Sequence, residues 1–79
     1  MWILSQDDNL INLEKVIAIY HKANSDIDGK FAIRCVLPDS NNAKLASYET
    51  KEKTEQIFNN FVDVIRKGIT INLISFRDE

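Results

Sequence analysis

The sequence predicts an α+β fold: an antiparallel β-meander of four to five strands, one amphipathic helix packed on it, and a C-terminal strand. Three observations lead there. The stretch KEKTEQIFNNFVDVIRK, from Lys51 to Lys67, carries its apolar residues on one side of a helix. The residues before it fall into short apolar or alternating runs separated by turn formers. A second alternating run, Ile69 to Phe76, follows it. The chain has 79 residues, enough for one core, so residues 1–79 read as one domain.

Trp2 to Ser5 is expected to be a short strand with Trp2 and Leu4 on its core face. Gln6-Asp7-Asp8-Asn9 is a turn cluster, and Leu10 to Leu13 returns, so residues 2–13 form a hairpin. Glu14 and Lys15 interrupt as a corner or bulge. Val16 to Lys22 is β-branched and aromatic, as strands are. A polar loop ends in Asp28-Gly29, a hairpin signal, and Phe31 to Leu37 is the return strand, with Phe31, Ile33, Cys35 and Leu37 on one face. Pro38 to Asn42 is a turn, and Lys44 to Tyr48 is a shorter strand with Leu45 inward. In the helix, Ile57, Phe58, Phe61, Val62, Val64 and Ile65 fall within about 160° of the circumference at 100° per residue. Packing is expected through Ile57, Phe58, Phe61 and Ile65. Thr50 is placed to cap the helix and Gly68 to stop it. In the tail, Ile69, Ile71 and Leu73 alternate with Thr70 and Asn72 until Ile74 and Phe76 break the pattern.

Composition narrows the function classes. The apolar fraction is 44%, the charged fraction 28% and the net charge −2, an ordinary globular balance without overall attraction to polyanions. Cys35 is the one cysteine, which excludes an intramolecular disulfide and suits a reducing compartment. MWIL is too short for a signal-peptide core, and no apolar run approaches the roughly 18 residues of a membrane span. The expected setting is cytoplasmic.

Candidate sites are few. Asn24 to Gly29 opens with the spacing of a calcium loop, but the twelfth position, where a bidentate carboxylate belongs, is Cys35. It reads as a polar hairpin loop. His21 is the one histidine and no partner for catalysis is fixed beside it, so it reads as a strand residue. Cys35 shares a face with Phe31 and Ile33 and reads as a buried thiol. Lys22, Lys30, Arg34 and Lys44 can gather on the outer face of the central hairpin, with Tyr20 or Tyr48 near, a crude platform for single-stranded nucleic acid. Two glycines, neither in a phosphate-cradling motif, leave no cofactor expected.

Trp2-Ile3-Leu4-Ser5-Gln6-Asp7, followed by Ile11-Asn12-Leu13 and Val16, resembles a group of short uncharacterised proteins of Gram-positive bacteria and their phages. Those proteins share this opening phrase, a central hairpin, a short strand ending in Tyr and a Glu/Lys-rich helix, which Lys44 to Thr50 and the helix here match. The resemblance implies no activity, and the tail from Ile69 departs from that plan.

The residues together point to a small non-enzymatic interaction or accessory module that self-associates. The tail residues Ile69, Ile71, Leu73, Ile74 and Phe76 are the expected interface, because a strand apolar on both faces needs cover on both, from a second subunit or, in the monomeric alternative, from a curled, barrel-like sheet. The alternative is a nucleic-acid-binding accessory protein using the basic hairpin.

Overall fold

The computed structural model describes residues 1–39, 41–68 and 73–76. Its elements are β1 (Trp2–Leu4), β2 (Leu10–Asn12), a 3₁₀ turn (Leu13–Lys15), β3 (Ala18–His21), β4 (Phe31–Val36), β5 (Asn42–Tyr48), α1 (Lys51–Arg66) and β6 (Leu73–Ser75). The class is α+β, with one helix and two three-stranded sheets among the described residues. One sheet has the order β2-β1-β6 and the other β3-β4-β5.

The continuous meander expected from the sequence is therefore divided. The division falls at Leu13–Lys15, where Asn12 caps a 3₁₀ turn by accepting from the Glu14 amide at 3.1 Å. Chain leaving that turn is redirected, and Ile17 donates to the Val36 carbonyl at 2.8 Å, opening the second sheet. The expected C-terminal strand is present over Leu73–Ser75 and pairs within the chain. β6 pairs in parallel with β1, Trp2 opposite Leu73 and Ile3 opposite Ile74, and the Phe76 amide donates to the Leu4 carbonyl at 2.9 Å. Ile69 and Ile71 lie outside the described residues.

The core lies between the two sheets and α1. Ile3 and Ile11 enter it from the first sheet, Ile33, Cys35, Leu45, Ala46 and Tyr48 from the second, and Ile57 and Phe61 from the helix. Phe76 joins them, 2% exposed, its ring tilted against Phe61 at 5.5 Å between centroids. Ile74 packs half-buried against the same cluster. Ile74 and Phe76 are thus core residues of this chain, not members of an exposed face, while Leu73 points away from the core.

The first strand has the opposite facing to the expected one. Ile3 is fully buried, opposite Ile11 and Ile74, and Trp2 is exposed. The two readings differ only in which alternate residues turn inward, and a three-residue strand provides too little alternation to decide it.

Within α1 the buried stripe is Thr54, Ile57 and Phe61, with Phe58 half-buried. Ile65, one turn beyond Phe61, is 41% exposed, so the packing stripe ends a turn earlier than its periodicity suggests. Thr54 occupies an apolar position because its hydroxyl donates to the Thr50 carbonyl at 2.9 Å, satisfying it locally. The Thr50 hydroxyl accepts from the Lys53 amide at 3.1 Å, the expected N-cap. Gly68 ends the helix with φ +65°, the left-handed conformation that glycine adopts without steric cost.

The two sheets are joined through Gln6, in the turn between β1 and β2. Its amide donates to the Leu45 carbonyl at 2.9 Å, and its side-chain Oε1 accepts from the Ser47 amide at 2.8 Å. Both partners belong to β5, whose outer edge Gln6 thereby covers.

Candidate functional site

Two outward faces carry the residues with binding potential. The first is the outer face of the β2-β1-β6 sheet. Register places Asn12, Trp2 and Leu73 in one cross-strand row, and Leu10, Leu4 and Ser75 in the next. Alternation along each strand sends both rows to the side away from Ile3. Trp2 is 43% exposed, Leu10 59% and Leu73 47%. Leu4 is half-buried between them. No residue of these two rows is charged. The assignment of Trp2 to the core concealed this face, and Leu73 is the one described member of the expected tail interface that lies on it.

The second is the outer face of the β3-β4-β5 sheet. Here Tyr20 stands opposite Arg34, and Arg34 opposite Lys44. A bulge brings the row about. Ile33 pairs with Ala46 and Arg34 with Lys44, so Leu45 is an extra residue and is fully buried. Without it Leu45 would face Arg34, and Lys44 would fall out of the row. Lys22 lies two residues beyond Tyr20, at the strand's end, its amide donating to the Ala32 carbonyl at 3.0 Å.

Asp26, in the loop between β3 and β4, ties this face together. Its carboxylate accepts a hydrogen bond from Lys22 Nζ, and its second oxygen lies 3.9 Å from the Arg34 guanidinium. The Lys22 hydrogen bond holds the Asp26 carboxyl below the ordinary carboxylate range against a smaller opposing effect of desolvation, and the charges of Lys22, Arg34 and Lys44 add to it. A shallow groove of about 450 Å³ runs beside the row, lined by Asp26, Ile27, Asp28, Arg34 and Lys44. Lys30 is exposed at the far end of the loop, where its amide donates to Asp28 Oδ1 at 2.9 Å. Of the four cations expected to gather, Lys22 and Arg34 pair with Asp26 and Lys44 lines the same groove, while Lys30 lies at the hairpin's closing turn. Tyr20 is the neighbouring aromatic; Tyr48 is buried in the core cluster.

The remaining candidates are placed as follows. In the calcium-like loop, Asp26 is committed to Lys22 and Arg34, and Asp28 to the Lys30 amide. Among the described residues, no group of three or more His, Cys, Asp or Glu side chains could hold a metal ion. His21 sits edge-on to Phe58, ring centroids 4.9 Å apart, between the second sheet and α1. Cys35 is fully buried, and burial pushes its thiol up from the ordinary range despite a backbone hydrogen bond with Ala43. Among the described residues no helix is long and apolar enough to cross a membrane.

Comparison with known proteins finds no matching family model, no matching curated protein and no matching solved structure.

Proposed function

We propose that the chain is a small non-enzymatic interaction module that self-associates through the outer face of its β2-β1-β6 sheet. The observation that carries this reading is the uncharged pair of rows in which Trp2, Leu10 and Leu73 remain about half exposed. Its setting is cytoplasmic, a reading that the lone buried thiol of Cys35 suits.

A second copy is the occupant that best fits this face. Two-fold pairing sets the same patch against itself, so a patch of uncharged residues meets only uncharged residues. Two copies can therefore close on one another without burying an ion. The magnitude is modest. Burying the remaining surface of Trp2, Leu10 and Leu73 offers on the order of 1 kcal/mol for each side chain, twice over in a symmetric pair. Association costs at least about 4 kcal/mol. The surplus from these three side chains, about 2 kcal/mol, falls short of the roughly 8 kcal/mol that a micromolar dimer requires, so a dimer populated at micromolar concentration draws on Leu4 and the rest of the two rows as well.

Trp2 is the one tryptophan and lies at the centre of the proposed contact. Its fluorescence emission therefore reports association directly. The emission should move to shorter wavelength as protein concentration rises from low to high micromolar. Emission that is independent of concentration across that range would count against the reading.

A further inference from the structure

We propose that the outer face of the β3-β4-β5 sheet binds single-stranded nucleic acid, with Arg34, Lys44 and Lys22 holding the phosphates and Tyr20 stacking on a base. This face is separate from the self-association surface, and the two proposals stand or fall independently.

The geometry of the row comes first. Tyr20, Arg34 and Lys44 occupy one register line across three adjacent strands. Neighbouring strands lie about 4.8 Å apart, so an aromatic ring and two cations are spread over about 10 Å of the sheet's outer face. Tyr20 is 38% exposed, which leaves part of its ring open to a base. Stacking on such a ring suits an unpaired base, whose faces are accessible, and not a duplex, whose faces are covered by neighbouring pairs.

The electrostatics come second. This end of the molecule gathers Lys22, Arg34 and Lys44 against Asp26 and Asp28, in a chain whose net charge is −2. The local excess is therefore cationic where the whole is anionic. Asp26 does not cancel the site so much as arrange it: one carboxylate bridges Lys22 and Arg34 and fixes both beside the groove. Lys44 has no ion pair among the described residues and stands ready for an anion. Ile27, fully exposed at the loop tip on the rim of the groove, adds an apolar surface that a sugar or base edge can cover.

Three phosphate contacts set the expected salt dependence. Each contact on a single strand contributes about −0.7 to the slope of log affinity against log salt, giving a slope of about −2. With so few contacts, binding should be weak and visible mainly at low salt.

The test is fluorescence anisotropy of a labelled mixed-sequence DNA or RNA single strand of about 16 nucleotides, titrated with the full chain at several salt concentrations. Binding should weaken with salt along the slope above. Arg34→Ala and Lys44→Ala should each weaken it several-fold and flatten the slope. Tyr20→Ala should weaken it about tenfold, and Tyr20→Phe should restore it, since a phenyl ring stacks as well. Thermal melting of each variant confirms that it is folded. The proposal is overturned if the single strand does not bind at low salt, or if duplex DNA and heparin bind equally well and Tyr20→Ala has no effect. It is also overturned if anionic phospholipid vesicles bind while the oligonucleotide does not.

Discussion

Phe61 shows how much of this small core depends on one side chain. It reaches from the buried stripe of α1 to Phe76 on the first sheet's last segment, so it links helix and tail. Phe61→Ala should cost about 3–5 kcal/mol, the range for deleting a buried aromatic ring, which would unfold much of so small a domain. Ile65→Ala, at an exposed position one turn on, should cost under about 1 kcal/mol. Chemical denaturation of the two variants compares these directly, and similar losses for both would contradict the packing described. Trp2 teaches the reverse lesson. Its size suggests a core plug, but Ile3 beside it is the residue that faces Ile11 and Ile74. Asp26 makes a prediction about pH. Its carboxyl is depressed by the Lys22 hydrogen bond, aided by the charges of Lys22, Arg34 and Lys44. A folded-state pKa below the unfolded one means a contribution fully present above about pH 4 and lost as pH falls through the lower folded value. The wild type should therefore lose stability on acidification from about pH 4 more steeply than Asp26→Asn, measured by melting across that range. Parallel pH profiles would contradict the ion-pair assignment.

At the scale of elements, legibility followed length and periodicity. The helix was readable because sixteen residues repeat one pattern and because Thr50 and Gly68 mark its ends by separate physical means. Thr50→Ala should cost about 1 kcal/mol through loss of the bond to the Lys53 amide. A melting temperature unchanged from wild type would show that the cap contributes nothing. The hairpin of β3 and β4 was readable from its flanking apolar runs and Asp28-Gly29, where Gly29 adopts φ +79°. The bulge at Leu45 was not, since one extra residue in a strand leaves no mark on composition. Yet the bulge decides that Lys44 stands beside Arg34, and so decides the shape of the basic row. The edges of β1, β2 and β6 were the least legible, each being three residues long.

At the scale of the molecule, class was legible and topology was not. Local hairpins are written into consecutive residues, whereas the pairing of β6 with β1 joins the two ends of the chain in parallel across every other element. Parallel pairing requires a long crossover, and nothing local in either segment names the other. That closure takes Ile74 and Phe76 inward and leaves Leu73 outside, beside Trp2. The expectation that a strand apolar on both faces needs cover on both concerns the whole tail; of its described apolar residues, Leu73 is the one that lies on the open face of the first sheet. The central claim is that this face joins two copies. Sedimentation velocity of the full chain at high micromolar concentration tests it most directly, comparing wild type with Leu10→Lys/Leu73→Lys, which places cations on that face without touching the core. A concentration-dependent dimer for wild type and a folded monomer for the double variant is the expected result. A wild type that sediments as a monomer at every concentration, or a double variant that dimerises as well as wild type, would contradict it.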